Sequence, residues 1–172
     1  MMKLLSIFFL IISLFFTAKA EIINNVIVNN NDRISLNTIK TYGNIELGID
    51  YSPDDLNKIL KNIYDTNFFK NVSLNIKNNT LFIDVEENKI IQIINITGIK
   101  SNRIQEAILE SLNLKNKSPF IESEVEKDLI RIKSSLSNEG YYFSKVTSDI
   151  EINSNDTVNL NFNIDLGDKV KI

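Results

Sequence analysis

The chain contains no cysteine, no histidine and no tryptophan. Disulfides, thiolate nucleophiles, Cys/His zinc sites, imidazole acid/base chemistry and Ser-His-Asp triads are therefore all excluded. A carboxylate-only mechanism or a hard-cation site could still be drawn from the 22 acidic residues. Acidic residues are mostly solvated surface, however, and no pair of them sits in a context that suggests burial with a raised pKa. An excess of positive charge is also missing: 19 basic residues against 22 acidic give a net charge of −3, which offers no electrostatic case for nucleic-acid binding. No cofactor and no metal are expected. What the 172 residues do contain is 43% hydrophobic and 24% charged side chains, the balance of a folded globular protein.

The first twenty residues differ from the rest. Met1 to Lys3 give a short positive start, Leu4 to Phe16 is apolar apart from Ser6 and Ser13, and Ala18-Lys19-Ala20 places small residues at both cleavage-defining positions. This pattern predicts a secretory signal peptide over residues 1–20, removed after Ala20. The apolar run is too short to span a hydrocarbon core of ~30 Å as a helix. Loss of Lys3 and Lys19 would leave 17 basic residues against 22 acidic, an exported chain of net −5 that must be stabilised by packing without disulfides.

Periodicity organises the remainder. Glu21 to Val28 is rich in Ile and Val and reads as a strand ending in the turn Asn29 to Asp32. Ser35 can cap a short helix carrying Leu36 and Ile39, and Gly43 and Gly48 bracket a loop. Ser52-Pro53-Asp54-Asp55 ahead of Leu56, Ile59, Leu60 and Ile63 predicts a helix over 53–65. The period then changes to two: Val72, Leu74 and Ile76 alternate with polar residues, as do Leu81, Ile83 and Val85, with Asn78-Asn79 between them suited to a type I′ turn.

From Ile90 the order repeats. Ile90 to Thr97 reads as a strand closed by Gly98, Ser101 as a cap for a helix carrying Ile104, Ile108 and Leu112, and Ser123 with Glu126 as a capping box for a second helix ending at Gly140. In the last hairpin Val146, Ser148, Ile150 and Ile152 share one face, and Val158, Leu160, Phe162, Ile164 and Leu166 another. The aromatic joints Phe68-Phe69 and Tyr141-Tyr142-Phe143 stand between helix and hairpin in the two copies, a position that favours packing over display. Asp54-Asp55 and Glu86-Glu87 are explained by helix N-terminal charge and a solvated strand end.

Two copies of β-α-α-β-β therefore predict an α+β fold of two tandem domains, each a three-stranded mixed sheet covered by two helices. The first strand returns parallel beside the last, so the first strand of each hairpin is left at an edge. The expected boundaries are 21–88 and 89–168, with 169–172 opening a further, truncated repeat.

The order of elements and three strings, Ile63-Tyr64-Asp65-Thr66-Asn67-Phe68-Phe69-Lys70-Asn71-Val72, Leu81 to Glu87 and Ile91 to Gly98, resemble the polypeptide-transport-associated (POTRA) domains of the BamA family of outer-membrane assembly factors. The resemblance extends over residues 21–168. The family's Gly-Asn pair after the first strand is replaced by Asn29-Asn30 in one copy and Gly98-Ile99 in the other. The family follows its repeats with a membrane β-barrel, so the resemblance implies an N-terminal fragment of a cell-outer-membrane protein, with this part at the periplasmic face. It implies no enzymatic activity. The partners it implies are unfolded outer-membrane β-barrel proteins, periplasmic lipoproteins of the assembly complex and a periplasmic chaperone, with the membrane reached only through the barrel.

The POTRA region of a two-partner secretion or translocation transporter and a free-standing periplasmic scaffold remain as alternatives. Unpaired backbone on an edge strand can take up an extended chain with little regard to its sequence. The candidate docking residues are Val72, Ser73, Leu74, Asn75 and Ile76 in the first domain. In the second they are Lys145, Val146, Thr147, Ser148, Asp149, Ile150 and Glu151. The competing expectation is an inert edge, blunted by Lys145, Asp149 and Glu151.

Overall fold

The computed structural model describes residues 21–169; the signal-peptide expectation and the last three residues lie outside the described residues. The chain parts into two compact units between Glu86 and Glu87.

In the first unit the expected opening strand is two. β1 (Glu21–Ile23) pairs antiparallel with β3 (Ile49–Tyr51), a strand not expected from the periodicity, while β2 (Asn25–Asn29) runs parallel to β5 (Thr80–Glu87). The switch falls at Asn24-Asn25, poor strand formers whose backbone N–H groups both donate to the Asn79 carbonyl, at 2.8 and 3.3 Å. β3 has only three residues, two of them exposed, too few to show a period of two in the sequence. The loop before it is tied by the Tyr51 hydroxyl, which accepts from Glu46 N at 2.9 Å and donates to Glu46 O at 3.1 Å.

Helix α1 (Leu36–Gly43) is capped by Ser35, whose hydroxyl accepts from Thr38 N. Helix α2 (Pro53–Tyr64) carries the full capping box between Ser52 and Asp55, with proline at its first position. Burial of Ile39, Ile59 and Ile63 against Leu81, Ile83 and Val85 of the sheet forms the core. Each such side chain contributes roughly 1.5–3 kcal/mol relative to exposure. β4 (Phe69–Lys77) joins β5 through Asn78-Asn79, at φ 52° and 60°, the left-handed pair of a type I′ turn.

The second unit repeats the plan without the extra ribbon. β6 (Ile90–Thr97) runs parallel to β8 (Thr157–Asp165), and β7 (Lys145–Ile152) runs antiparallel to β8 on its other side. The sheet orders are β2-β5-β4 and β6-β8-β7, so each unit has a mixed three-stranded sheet with the first hairpin strand at an edge. Helices α3 (Asn102–Ser111) and α4 (Glu122–Asn138) pack on the apolar face, where Val158, Leu160, Phe162 and Ile164 of β8 are buried.

Two helix starts differ from expectation. Ser101 precedes α3 but its side chain makes no capping bond. The Ser123/Glu126 box does not form, because α4 begins at Glu122 with Ile121 as its N-cap residue, placing Ser123 inside the first turn. Phe120 N donates to Lys89 O and Pro119 bridges Ile90, so the chain stays extended against β6 only up to this point and the helix starts at once. At the other end, Tyr141 N donates to Leu136 O and Gly140 N to Ser137 O, with Gly140 at φ 90°, the two bonds of a Schellman motif.

The α3–α4 connection is held by Asp128, a fully buried carboxylate. Its oxygens accept from Asn113 N at 2.8 Å, Leu114 N at 3.0 Å and the Arg131 guanidinium at 2.8 Å. Arg103, just inside α3, makes a bidentate pair with Glu139 at the end of α4, at 2.8 and 2.6 Å.

Candidate strand-docking edges

All twelve candidate residues lie on the two edge strands, Val72 to Ile76 on β4 and Lys145 to Glu151 on β7. The backbone of the two edges is differently placed.

On β7, Asn153 N donates to Thr157 O, and the register pairs Glu151 with Asn159, Asp149 with Asn161 and Thr147 with Asn163. Antiparallel bonding alternates. The odd-numbered residues therefore bond inward to β8, and Val146, Ser148, Ile150 and Ile152 turn their N–H and C=O outward. Among the described residues, no hydrogen bond reaches that outward side.

The same even-numbered residues carry the helix-side face of the strand. Val146 is buried beside Leu136 of α4, but the helix does not cover the far half, where Ile150 is 38% and Ile152 67% exposed. Alternation in the sequence puts both on an apolar face, which the structure leaves open. The other face is polar: Lys145, Thr147, Asp149 and Glu151 are exposed beside a ladder of amides and hydroxyls. In that ladder Asn95 donates to Asn161 at 2.8 Å, Thr97 to Asn163 at 2.7 Å and Asn159 to Glu151 at 3.1 Å. Glu151 is thus engaged with its own sheet.

The opposite edge of this sheet is covered over its first half, from Ile90 to Ile94. The loop after α3 lies along β6, where Ile91 N donates to Ser118 O at 2.9 Å and Lys117 N to Ile91 O at 2.7 Å. Ile94 N donates to Asn116 Oδ1 at 2.7 Å, beside the register shift at Ile91/Ile93. Lys117 takes φ 65° to make this turn. Nothing in the periodicity of residues 113–119 marks them as an edge cover.

On β4 the outward groups belong to Val72, Leu74 and Ile76, and the first is already engaged. Val72 N donates to the Tyr64 hydroxyl at 3.0 Å, and that hydroxyl lies 3.0 Å from Asn71 Oδ1 and 3.5 Å from Val72 O. The helix-to-strand joint of the Tyr-Asp-Thr-x-Phe-Phe string places each of its residues. Thr66 Oγ1 donates to Ile63 O at 2.6 Å and accepts from Phe68 N at 3.2 Å, and Asn67 takes φ 60°. Phe69 is buried, and Phe68 stands edge-on to Tyr42 with centroids 5.7 Å apart. The second joint departs from the packing expectation. Tyr141 packs on the core, but Tyr142 is 52% and Phe143 73% exposed, because the Schellman turn spends only Tyr141 against the helix end.

The acid pairs have local partners. Asp55 serves the α2 cap and contacts Lys58, and Glu86 pairs with Lys70 at 3.0 Å. Among the described residues no three acidic side chains converge into a cation site.

A family model for POTRA, described as a surface antigen variable number repeat, matches residues 89–167. No curated protein matches the sequence. Among solved structures, the N-terminal domain of Omp85 from the cyanobacterium Thermosynechococcus elongatus aligns at TM-score 0.55 and 15% identity, over 82% of this chain and 61% of that one. POTRA domains 3–5 of BamA from Haemophilus influenzae align at TM-score 0.48 and 17% identity, over 90% and 69%. POTRA domains 1–2 of Omp85 from Anabaena align at 0.49 and 14%, over 90% and 100%. This chain thus spans less than two thirds of the Thermosynechococcus structure's length. Residues 89–167 match the POTRA family model, and the chain has the tandem-domain fold seen in the Omp85 N-terminal domain.

Proposed function

We propose that this chain is a non-enzymatic periplasmic docking module of an outer-membrane protein assembly machine, taking up unfolded β-barrel precursors by strand addition. Residues 21–88 and 89–168 are its two units, and β7 is the docking strand. The observation that carries this reading is the asymmetry of the second sheet: β6 is covered by its own loop from Ile90 to Ile94, while the outward groups of Val146, Ser148, Ile150 and Ile152 stand open. An added strand would continue both faces, covering Ile150 and Ile152 on one side and extending the polar ladder on the other. That requirement selects a segment of alternating apolar and polar residues, the pattern of a membrane β-barrel strand. Periplasmic lipoproteins and a chaperone enter as partners through the family resemblance.

Ser148→Pro tests the reading. The lost N–H faces outward, so the hairpin keeps its bonds to β8, and proline is tolerated on an edge in this orientation. One outward bond is lost and the ring obstructs the neighbouring strand, so affinity for a synthetic alternating barrel-strand peptide should fall about tenfold or more, with circular dichroism unchanged. Asp149→Pro, which removes an inward bond, should disrupt the hairpin instead. Equal peptide binding by wild type and Ser148→Pro rejects β7 as the docking strand.

A further inference from the structure

We propose that the Tyr64 hydroxyl closes the β4 edge against strand addition, so that of the two hairpin edges only β7 accepts an incoming strand. This rests on the docking reading above and narrows it to one of the two repeats.

The geometry is local and specific. Tyr64 is the last residue of α2, and its side chain reaches to the strand eight residues later, where the hydroxyl takes the Val72 N–H at 3.0 Å. The hydroxyl proton is given to Asn71 Oδ1 at 3.0 Å, with Val72 O at 3.5 Å, so the Val72 N–H that an added strand would need is taken from within the chain and its carbonyl is crowded by the same hydroxyl. The ring, 37% exposed, stands beside the strand where the partner's backbone would pass. Beyond Val72, the outward residues before the Asn78-Asn79 turn are Leu74 and Ile76 alone, less than the five or so residues of an ordinary strand pairing.

The second repeat lacks this device. With the positive-φ residues Asn67 and Gly140 superposed in sequence, Tyr64 corresponds to Ser137; with Val72 and Val146 superposed, it corresponds to Asn138. Neither side chain has a tyrosine's length. Tyr64 is therefore a specificity-determining residue acting through an edge it blocks, and the two copies differ in function because of one side chain.

The test uses the whole chain and a synthetic ten-residue peptide of alternating apolar and polar residues, with a photo-crosslinking residue placed at Asn75 or at Asp149. Both positions are exposed and project from the polar face of their strands. Wild type should label from 149 and only weakly from 75. Tyr64→Phe keeps the ring and removes the hydroxyl, and Tyr64→Leu removes both; labelling from 75 should rise in Phe and more in Leu, while labelling from 149 stays constant. Amide exchange at Val72 should accelerate about tenfold or more in both variants, since its partner is gone. Equal labelling from 75 and 149 in wild type overturns the proposal. So does silence at 75 in both variants while 149 remains labelled and the Val72 amide is released. Silence at 149 in wild type rejects the docking reading itself, and the proposal with it.

Discussion

Removing the Asp128 carboxylate should destabilise the second unit selectively and expose the edge that its loop now covers. In Asp128→Ala the Leu114 N–H, buried in the native structure, is left without its acceptor, at about 1–3 kcal/mol. Asn113 N loses the same acceptor but is exposed and recovers part of the loss from water. Arg131 is partly solvated and contributes little more. The sum is about 3 kcal/mol, which for a unit of this size corresponds to a fall in Tm of ~12–24 °C.

The functional consequence follows from chain order. Asn113 and Leu114 lead directly into Asn116, Lys117 and Ser118, the residues that bond to β6. Loosening this anchor frees a second edge in the same sheet, and the variant should self-associate before it melts. The assay is differential scanning calorimetry with two resolved transitions, paired with light scattering at a temperature below the lower one. A loss of under 1 kcal/mol in the second unit, or equal destabilisation of both units, would refute the assignment of Asp128 as the clip.

Gly98→Ala should cost several kcal/mol, because the residue sits at φ +85° and an added Cβ would fall 1.7 Å from the Ile164 carbonyl oxygen of β8. Gly48→Ala, at φ +80° with open space around it, carries the conformational penalty alone, about 1 kcal/mol; chemical denaturation of the pair separates clash from strain. The Asp55 carboxyl is held at about 2, below its ordinary 3.8, first by the Ser52 hydroxyl and then by Lys58. The folded value is the lower one, so this stabilisation is complete above the unfolded pKa and disappears as pH falls through about 2. Ser52→Ala should raise the Asp55 pKa toward its ordinary value in an NMR titration, and an unchanged value would show that the cap is not its cause.

The repeat was legible because its signals are short-range. Ser52 to Asp55 specifies a helix start without reference to the rest of the chain, and Asn78-Asn79 does the same for a turn. Alternation in Val158 to Ile164 identifies a strand buried on one face, and the structure buries all four of those residues. Features set by distant partners were not legible. Whether Glu21 to Val28 is one strand or two depends on β3 and on the Asn79 carbonyl, more than twenty residues away from it. The Ser123/Glu126 box fits the local pattern but yields to the extended pairing of residues 119–120 with β6 and Lys89. Alternation puts Ile150 and Ile152 on an apolar face, yet both are exposed, because whether a helix covers that part of the face is not set by local pattern.

The candidate site follows the same division. Topology alone puts β4 and β7 at sheet edges, and a βααββ order requires it once the first strand returns parallel beside the last. Whether an edge is open is a separate question, answered by single side chains and loops that topology does not constrain: Tyr64 on β4, Asn116 and Lys117 on β6, and no equivalent among the described residues on β7. An internal repeat can therefore keep its fold while its copies lose or keep a binding edge through one substitution, since filling an outward N–H leaves every bond within the sheet intact. If β7 alone takes up a strand, the tyrosine of the Tyr-Asp-Thr-x-Phe-Phe joint would separate the roles of the repeats, while its threonine and second phenylalanine bond and pack within the fold.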